Sequence, residues 1–400
     1  MKSDPDTRPL DGLTVIALEH AIAAPLCTRQ LAELGARVIK IERPEVGDFA
    51  RHYDDRARGL SSHFVWVNRS KQSLTLDLKQ APARDILDKL IARADVFVQN
   101  LAPGATVKLG LDYATLRDKN PQLIVCDISG YGSTGPQAKR KAYDLLIQAE
   151  AGFLGITGGD EPAKSGISIA DIAAGTQAHS AILAALLQRG KTQRGSHIEI
   201  SMLESMADWM GYPLYFAHDG ATPPPRTGTD HASIYPYGQF RLGAEESAES
   251  ILLGVQNERE WQVFCTKILR DLDLAKDPQF NSNLRRSTNR VRLRQLIESC
   301  FEGRDGAQLI NELEREGIAC AKMNTLDELW QHPQLRALNR FVSVETEGGP
   351  VDALLPPGHN SEYTHALGPV PALGADNHAI LTELGFDAQT IAALEGSAAV

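Results

Sequence analysis

Leu13-Thr14-Val15-Ile16-Ala17-Leu18, Arg29-Gln30-Leu31-Ala32-Glu33-Leu34-Gly35 and Ala36-Arg37-Val38-Ile39-Lys40-Ile41 follow one another near the start of the chain. The first and third runs are short, apolar and β-leaning, and the middle one has a helical pattern that stops at glycine, so together they predict a β-α-β unit. The alternation recurs downstream. Ser73 to Leu78, Asp95 to Val98 and Leu123 to Ile128 read as strands, and Pro82 to Ala92 as a helix. Strands separated by helices predict an α/β fold with a mostly parallel sheet and helices on both faces. Ser180 to Leu187 reads as a buried helix, Ile198 to Ser201 as a strand and Leu203 to Phe216 as another helix.

Asp219-Gly220 and Thr222-Pro223-Pro224-Pro225 form the densest Pro/Gly stretch and predict a linker. Three parts follow: a large domain over 1–220, a smaller α+β domain over 227–335, and a return segment over 336–400. The smaller domain has a strand at Ile251 to Val255 and helices around Trp261 to Leu269, Arg292 to Phe301 and Ala307 to Glu316. The return segment ends in a helix, Asn377 to Leu384, closed by Gly385 and expected to pack back on the large domain.

Composition narrows the function. With 400 residues, 42% hydrophobic and 23% charged, the chain is neither disordered, collagenous nor a coiled coil, and it is long enough to need no metal or disulfide staple. A net charge of −10 gives no general attraction to nucleic acid or an anionic bilayer, so an anionic ligand has to be caught by a local basic pocket. The cysteines are odd in number, scattered and mostly inside apolar runs (Cys27, Cys126, Cys265, Cys300, Cys320), which points to reduced, buried thiols and a cytoplasmic protein. The residues from Met1 to Pro9 hold no apolar signal core. The most apolar stretch, Ala181 to Leu187, falls short of the roughly 18–20 residues of a membrane span, so neither export nor insertion is expected.

Gly130-Tyr131-Gly132-Ser133-Thr134-Gly135 spells G-x-G-x-x-G after a predicted strand. A dinucleotide site would need these glycines to open an apolar helix, whereas a basic loop follows, Pro136-Gln137-Ala138-Lys139-Arg140-Lys141. A nicotinamide site is therefore not expected. Cations recur near strand ends: Arg43, Lys79, Lys108, and the Lys139 to Lys141 group. In an acidic protein that shared placement suits a phosphate-bearing small molecule.

Asp171 sits among small residues in Ala170-Asp171-Ile172-Ala173-Ala174-Gly175, at the start of a helix. Two roles are open to it: an N-cap, or a carboxylate nucleophile kept ionised by the helix N-terminus. Tyr143-Asp144 heads another helix, where Asp144 suits the macrodipole. The histidines lack metal-ligand spacing, so no metal is expected.

These residues resemble a known family, the class III CoA-transferases, which also includes formyl-CoA:oxalate transferase, the carnitine CoA-transferases and the α-methylacyl-CoA racemases. The resemblance runs over nearly the whole chain. It rests on Leu10-Asp11-Gly12-Leu13 and Ala24-Pro25, on Val38-Ile39-Lys40-Ile41-Glu42-Arg43-Pro44 with Gly47-Asp48, and on Asn68-Arg69-Ser70-Lys71 with Leu76-Asp77-Leu78-Lys79. Asn100 with Pro103-Gly104, Ser129-Gly130-Tyr131-Gly132, Tyr143-Asp144, Ala170-Asp171 and Leu373-Gly374 continue it.

What the resemblance implies is a Rossmann-like large domain completed by the C-terminal segment, a smaller domain, and an interlocked homodimer. Arg43, Lys79, Lys108 and Lys141 match positions that contact the phosphates or adenine of CoA; Leu76, Asn100, Leu101 and Tyr143 match neighbours in that site. Asp171 matches the catalytic aspartate, which passes through a mixed anhydride and an aspartyl-CoA thioester and needs neither metal nor redox cofactor. Racemases of the same fold carry histidine where this chain has Tyr143, and a phenol with a reference pKa of about 10 is a poor proton acceptor. Transfer is thus favoured over racemisation, and over an acyl-CoA-binding protein without turnover. Thr227-Gly228-Thr229-Asp230-His231-Ala232-Ser233 stands where oxalate-specific members have a glycine-rich loop, which disfavours formyl/oxalate exchange. Glu19-His20-Ala21-Ile22-Ala23-Ala24-Pro25 and Gly47-Asp48-Phe49-Ala50-Arg51 resemble members that use succinyl-CoA and small dicarboxylic acids. His20, Ile22, Arg51 and His231 are the expected substrate contacts.

Overall fold

Apolar residues on both faces of successive short runs leave a strand no exposed side, and such runs pair in parallel beneath covering helices. In the computed structural model, which describes residues 7–243, 249–397 and 399–400, six strands form one sheet: β1 (Thr14–Leu18), β2 (Arg37–Glu42), β3 (Lys71–Thr75), β4 (Val96–Gln99), β5 (Ile124–Ser129) and β6 (His197–Ser201). All neighbours are parallel and the order is β3-β2-β1-β4-β5-β6. This is the doubly wound order, whose ligand crevice lies where the order reverses, between the C-terminal ends of β1 and β4. The N-terminal stretch read for an export signal lies largely outside the described residues.

Through residue 209 the α-helices are α1 (Ala23–Glu33), α2 (Ser62–Asn68), α3 (Ala81–Ile91), α4 (Ala105–Leu109), α5 (Tyr113–Lys119), α6 (Asp144–Glu150), α7 (Phe153–Ile156), α8 (Ile169–Thr192) and α9 (Met202–Trp209). α1 ends where Gly35 takes φ +105°, a conformation open to glycine. The sequence placed β3 over Ser73 to Leu78, but it begins at Lys71, because a buried lysine hides the strand's start from a hydrophobic count.

The chain divides into two units, one of Met1–Ala151, Ser165–Met210 and Leu335–Val400, the other of Gly152–Lys164 and Gly211–Gln334. The division differs from the expected 1–220 and 227–335 in two places. Residues 152–164 group with the second unit, and the change falls at Gly211, where the helix predicted over Leu203 to Phe216 is broken into Met202–Trp209 and Gly211–Phe216.

In the first unit one core joins Ile16, Ile39, Leu74, Phe97 and Val125 of the sheet to Ile86 and Leu90 of α3 and to Ile380, Leu381 and Leu394 near the C-terminus. Edge strand β3 is covered by the helix Asn377–Glu383 and its approach: Ser73 N–H donates to Asp376 Oδ2 at 2.9 Å and Thr75 N–H to Asn377 Oδ1 at 2.9 Å. Side chains thus occupy donors that would otherwise recruit another strand. A hairpin, β10 (Phe341–Val344) with β11 (Val351–Leu354), belongs to the same unit. In the second unit, β7 (Tyr237–Arg241), β8 (Ser250–Gly254) and β9 (Ala319–Lys322) form an antiparallel sheet over a core of Trp261, Phe264, Phe280, Phe301 and Leu309.

α8 corrects two expectations. It runs for 24 residues, so the helix read to start at Asp171 takes in Ser180 to Leu187 and continues to Thr192, and Leu187 is 74% exposed rather than buried. By length and composition alone it could span a membrane, as the core helix of a soluble protein also can. Its N-terminal half packs on α1 so closely that a Cβ on Gly175 would lie 2.6 Å from the Ala23 carbonyl oxygen and 3.2 Å from Leu26 Cβ. Gly to Ala in an exposed helix gains about 1 kcal/mol; here the clash with rigid backbone outweighs the gain. Gly175→Ala is expected to cost about 1–3 kcal/mol in urea unfolding, and unchanged stability would show that the two helices separate freely.

Candidate active site

β1 delivers the turn Glu19-His20-Ala21-Ile22 to the crevice and β4 delivers Asn100, and a single side chain joins them. Asn100 Oδ1 accepts the His20 N–H at 2.8 Å while its Nδ2 donates to the His20 carbonyl at 2.9 Å. Ala21 adopts φ +60°, strained for a residue with a Cβ, and Asp48 Oδ1 accepts its N–H at 3.2 Å. Ile22 is buried against Leu26 and Val67, with Ile172 of α8 packed on the same cluster. Ile172 follows Asp171, so the turn lies beside the N-terminus of α8.

Beneath the turn is a buried ionic cluster. Lys71 Nζ reaches Glu19 Oε1 at 2.7 Å, Pro25 O at 2.9 Å and Asn68 Oδ1 at 3.0 Å; Lys40 Nζ reaches Asp48 Oδ2 at 2.9 Å and Glu19 Oε1 at 3.4 Å. Burial pulls the Lys71 ammonium down to about 8 against the attraction of Glu19. Glu42 would be raised by burial, but bonds from Arg51 and the charge of Lys40 hold it at about 2.

Asp171 is the third residue of α8, half-buried, and not its N-cap, which is Ser168. The cap comes from another helix. Asp144, first residue of α6, accepts the N–H of Ala170 at 2.7 Å and of Asp171 at 3.3 Å through Oδ1, and its Oδ2 accepts from Gln148 Nε2 at 2.6 Å. The helix N-terminus therefore serves Asp144. Burial, and then the neighbouring Asp144 charge, push the Asp171 carboxyl up to about 7, which corrects the expectation that the helix keeps it ionised at neutral pH.

Tyr143, just before α6, is 68% exposed. Tyr53 feels both residues: burial, Asp48, Asp171 and Tyr143 together push its phenol up to about 12, so its hydroxyl stays a donor at neutral pH. Its ring meets Phe49 at 5.8 Å and His63 at 5.4 Å, and Phe49 stacks on the His20 ring at 5.5 Å. Burial lowers the His20 imidazolium, leaving a neutral ring.

The expected phosphate contacts are exposed and sit after strand ends: Arg43 after β2, Lys79 after β3, Lys108 on α4, and Lys141 in the loop after β5. That loop, 130–142, opens no helix at its glycines. Three expected contacts have other work. Leu76 is 1% exposed within the core, Asn100 spends its amide on His20, and Arg51 gives two 2.8 Å bonds to Glu42 while lying 3.8 Å from the Phe64 ring centre. Leu101 is half-buried beside the same core. His231 belongs to the second unit, where Nδ1 accepts from the N–H groups of Ser233 and Ile234 at 3.2 and 3.0 Å and the ring stacks on Tyr237. No group of three or more His, Cys, Asp or Glu among the described residues could hold a metal ion.

Sequence reasoning missed Tyr53 and Lys40. Tyr53 left no signal, but a lysine inside the apolar run Val38-Ile39-Lys40-Ile41 did, since a buried ammonium needs an anion.

A doubly wound sheet, a carboxyl raised to about 7 at a helix start and exposed cations after the strand ends suit an α/β enzyme that takes a phosphate-bearing substrate. The model of CoA-transferase family III matches residues 10–377, and the chain belongs to that family. It is a CoA-transferase. Human succinyl-CoA:glutarate CoA-transferase is 31% identical over 97% of this chain and 89% of its own. Acetyl-CoA:oxalate CoA-transferase of Acetobacter aceti is 32% identical over 86% and 88%. The crystal structure of a CAIB/BAIF family protein from Brucella suis superposes with a TM-score of 0.84 at 32% identity, covering 95% of this chain and all of that one.

Proposed function

We propose that the chain moves CoA from succinyl-CoA to a small dicarboxylic acid, with Asp171 as nucleophile. The observation that carries this is the carboxyl of Asp171: it is relieved of capping by Asp144, half-buried, and held near neutrality. Its anion attacks the thioester carbonyl, the C–S bond breaks, and CoA leaves as thiolate from a mixed anhydride. The thiolate then attacks the aspartyl carbonyl, releasing succinate and leaving aspartyl-CoA thioester. The acceptor carboxylate repeats the two steps in reverse order, so bonds and charges balance and the aspartate is regenerated. Arg43, Lys79, Lys108 and Lys141 hold the CoA phosphates by charge-assisted bonds. Tyr143 in place of a histidine supports transfer over racemisation, and the relative named for succinyl-CoA and glutarate supports a dicarboxylic acceptor.

The active form in this reading is a cytoplasmic homodimer. Exposed apolar side chains on α6 and α8, Leu145, Leu146 and Leu187, support a second copy as their cover, and the five unpaired cysteines support the location.

The test incubates protein of known mass by light scattering with succinyl-CoA and a panel of dicarboxylic acids, and reads new acyl-CoA masses. One new thioester from a protein of twice the chain's mass is the expected result. No new thioester, with α-proton exchange of a 2-methylacyl-CoA in heavy water, would overturn it in favour of racemisation.

A further inference from the structure

Lys108 lies on α4, a helix of five residues that buries none of them and is bounded by Gly104 and Gly110, both at positive φ. Leu109 and the flanking Leu101 and Leu111 reach the core, but the face that carries Lys108 is exposed, and where that face sits depends on how the two ends are held. Both ends are held by one chain of side chains.

At the start, Leu101 N–H donates to Gln99 Oε1 at 2.7 Å, and Gln99 Nε2 donates to Asp127 Oδ1 at 2.8 Å. Gln99 and Asp127 are direct partners in the β4–β5 register, so their side chains share one face of the sheet. Asp127 Oδ2 lies 2.7 Å from His197 Nε2, the first residue of β6, and the His197 ring stacks on Tyr113 at 4.8 Å and 11°. Tyr113 opens α5 just beyond the segment's far end. Sheet pairing itself uses backbone groups, so the fold does not need a carboxylate at Asp127.

We propose that Gln99, Asp127 and His197 are positioning residues that clamp 101–113 from both ends and so set Lys108 for a phosphate of CoA. The proposal rests on the reading of Lys108 as a CoA contact. Asp127 joins the two halves: without it, Gln99 is no longer tied to the His197–Tyr113 stack, and the segment is held only at separate points.

The experiment measures KM for succinyl-CoA, kcat, and melting temperature for Asp127→Val, His197→Phe, His197→Gln, Lys108→Ala and the Lys108→Ala/Asp127→Val pair. Valine suits a parallel strand, and phenylalanine keeps the stack but loses the donor. Asp127→Val and His197→Phe are expected to raise KM about tenfold, the size of one charge-assisted contact, with kcat within about twofold. His197→Gln keeps a donor for Asp127 but loses the ring that stacks on Tyr113, so it is expected to raise KM by a similar factor, because the chain needs both links. The double variant is expected to be no worse than Lys108→Ala alone, because both changes remove the same contact. Additive effects, or a KM unchanged in both Asp127→Val and His197→Phe, overturn the clamp. Should Asp127→Val fail to fold, His197→Phe and His197→Gln decide alone. A Lys108→Ala variant with unchanged KM would instead overturn the CoA reading of Lys108.

Discussion

Asp171→Asn is expected to abolish CoA exchange, by a factor on the order of 10⁴, and at the same time to stabilise the protein above about pH 4. The two effects have one origin. In the fold the carboxyl is raised to about 7, first by burial and then by Asp144, from an ordinary value of 3.8. Below the ordinary value both folded and unfolded states hold the proton, and the residue costs nothing. As pH rises from there the unfolded chain loses its proton first, so stability falls until pH passes about 7. The full cost is roughly 3 kcal/mol, reduced by the partial exposure of the group. Asparagine carries no charge and escapes it.

Urea unfolding at pH 4 and pH 8 should therefore show the variant gaining on the parent only at the higher pH. Exchange by the parent should rise with pH through about 7, since the anion attacks. Asp144→Asn, which keeps an oxygen for the α8 N–H groups but removes the charge, should move that rise to lower pH. Exchange surviving in Asp171→Asn within tenfold of the parent would remove Asp171 from the mechanism.

Lys40→Met is expected to cost about 3–5 kcal/mol, the penalty for stranding buried charge. Lys40 is fully buried, with Asp48 at 2.9 Å and Glu19 at 3.4 Å. Glu19 keeps Lys71, but Asp48 loses its cation while still bonded to the N–H groups of Ala21 and Ala50. Stability and the shape of the 19–22 turn should fail together, so exchange falls more steeply than the folded fraction does. Adding Asp48→Asn removes the stranded charge while keeping an acceptor for Ala21, and should return part of the stability. Urea titration of the single and double variants measures both; a loss below about 1 kcal/mol in Lys40→Met would mean that water reaches the cluster.

The β/α alternation was legible because it is local. Val15, Ile16 and Ala17 in one run, and Val38 and Ile39 in another, are apolar on both faces, and only a covered parallel strand accommodates that. The late helix was legible from its own period and from Gly385, which takes φ +90°. In the site, Asp171 was marked by its small neighbours, and the cations by their place after strands. Arg51 and Asn100 were marked in the same way, but their bonds to Glu42 and His20 were not legible, because a polar residue after a strand can serve the fold as well as a ligand and nothing in the chain tells the two apart.

The class of fold, the carboxylate at the start of α8 and the resemblance to CoA-transferases were legible in the chain alone, because they depend on neighbours within a few turns or on an ordered set of motifs. What each charge does was not. Asp144 stands 27 residues before Asp171 and Glu19 stands 52 before Lys71, yet each pair shares a water-poor space. Coulomb energy and desolvation depend on distance and burial in three dimensions. They emerge when strands and helices from distant parts of the chain close on one another, and with them come the near-neutral carboxyl of Asp171 and the fixed turn beside it.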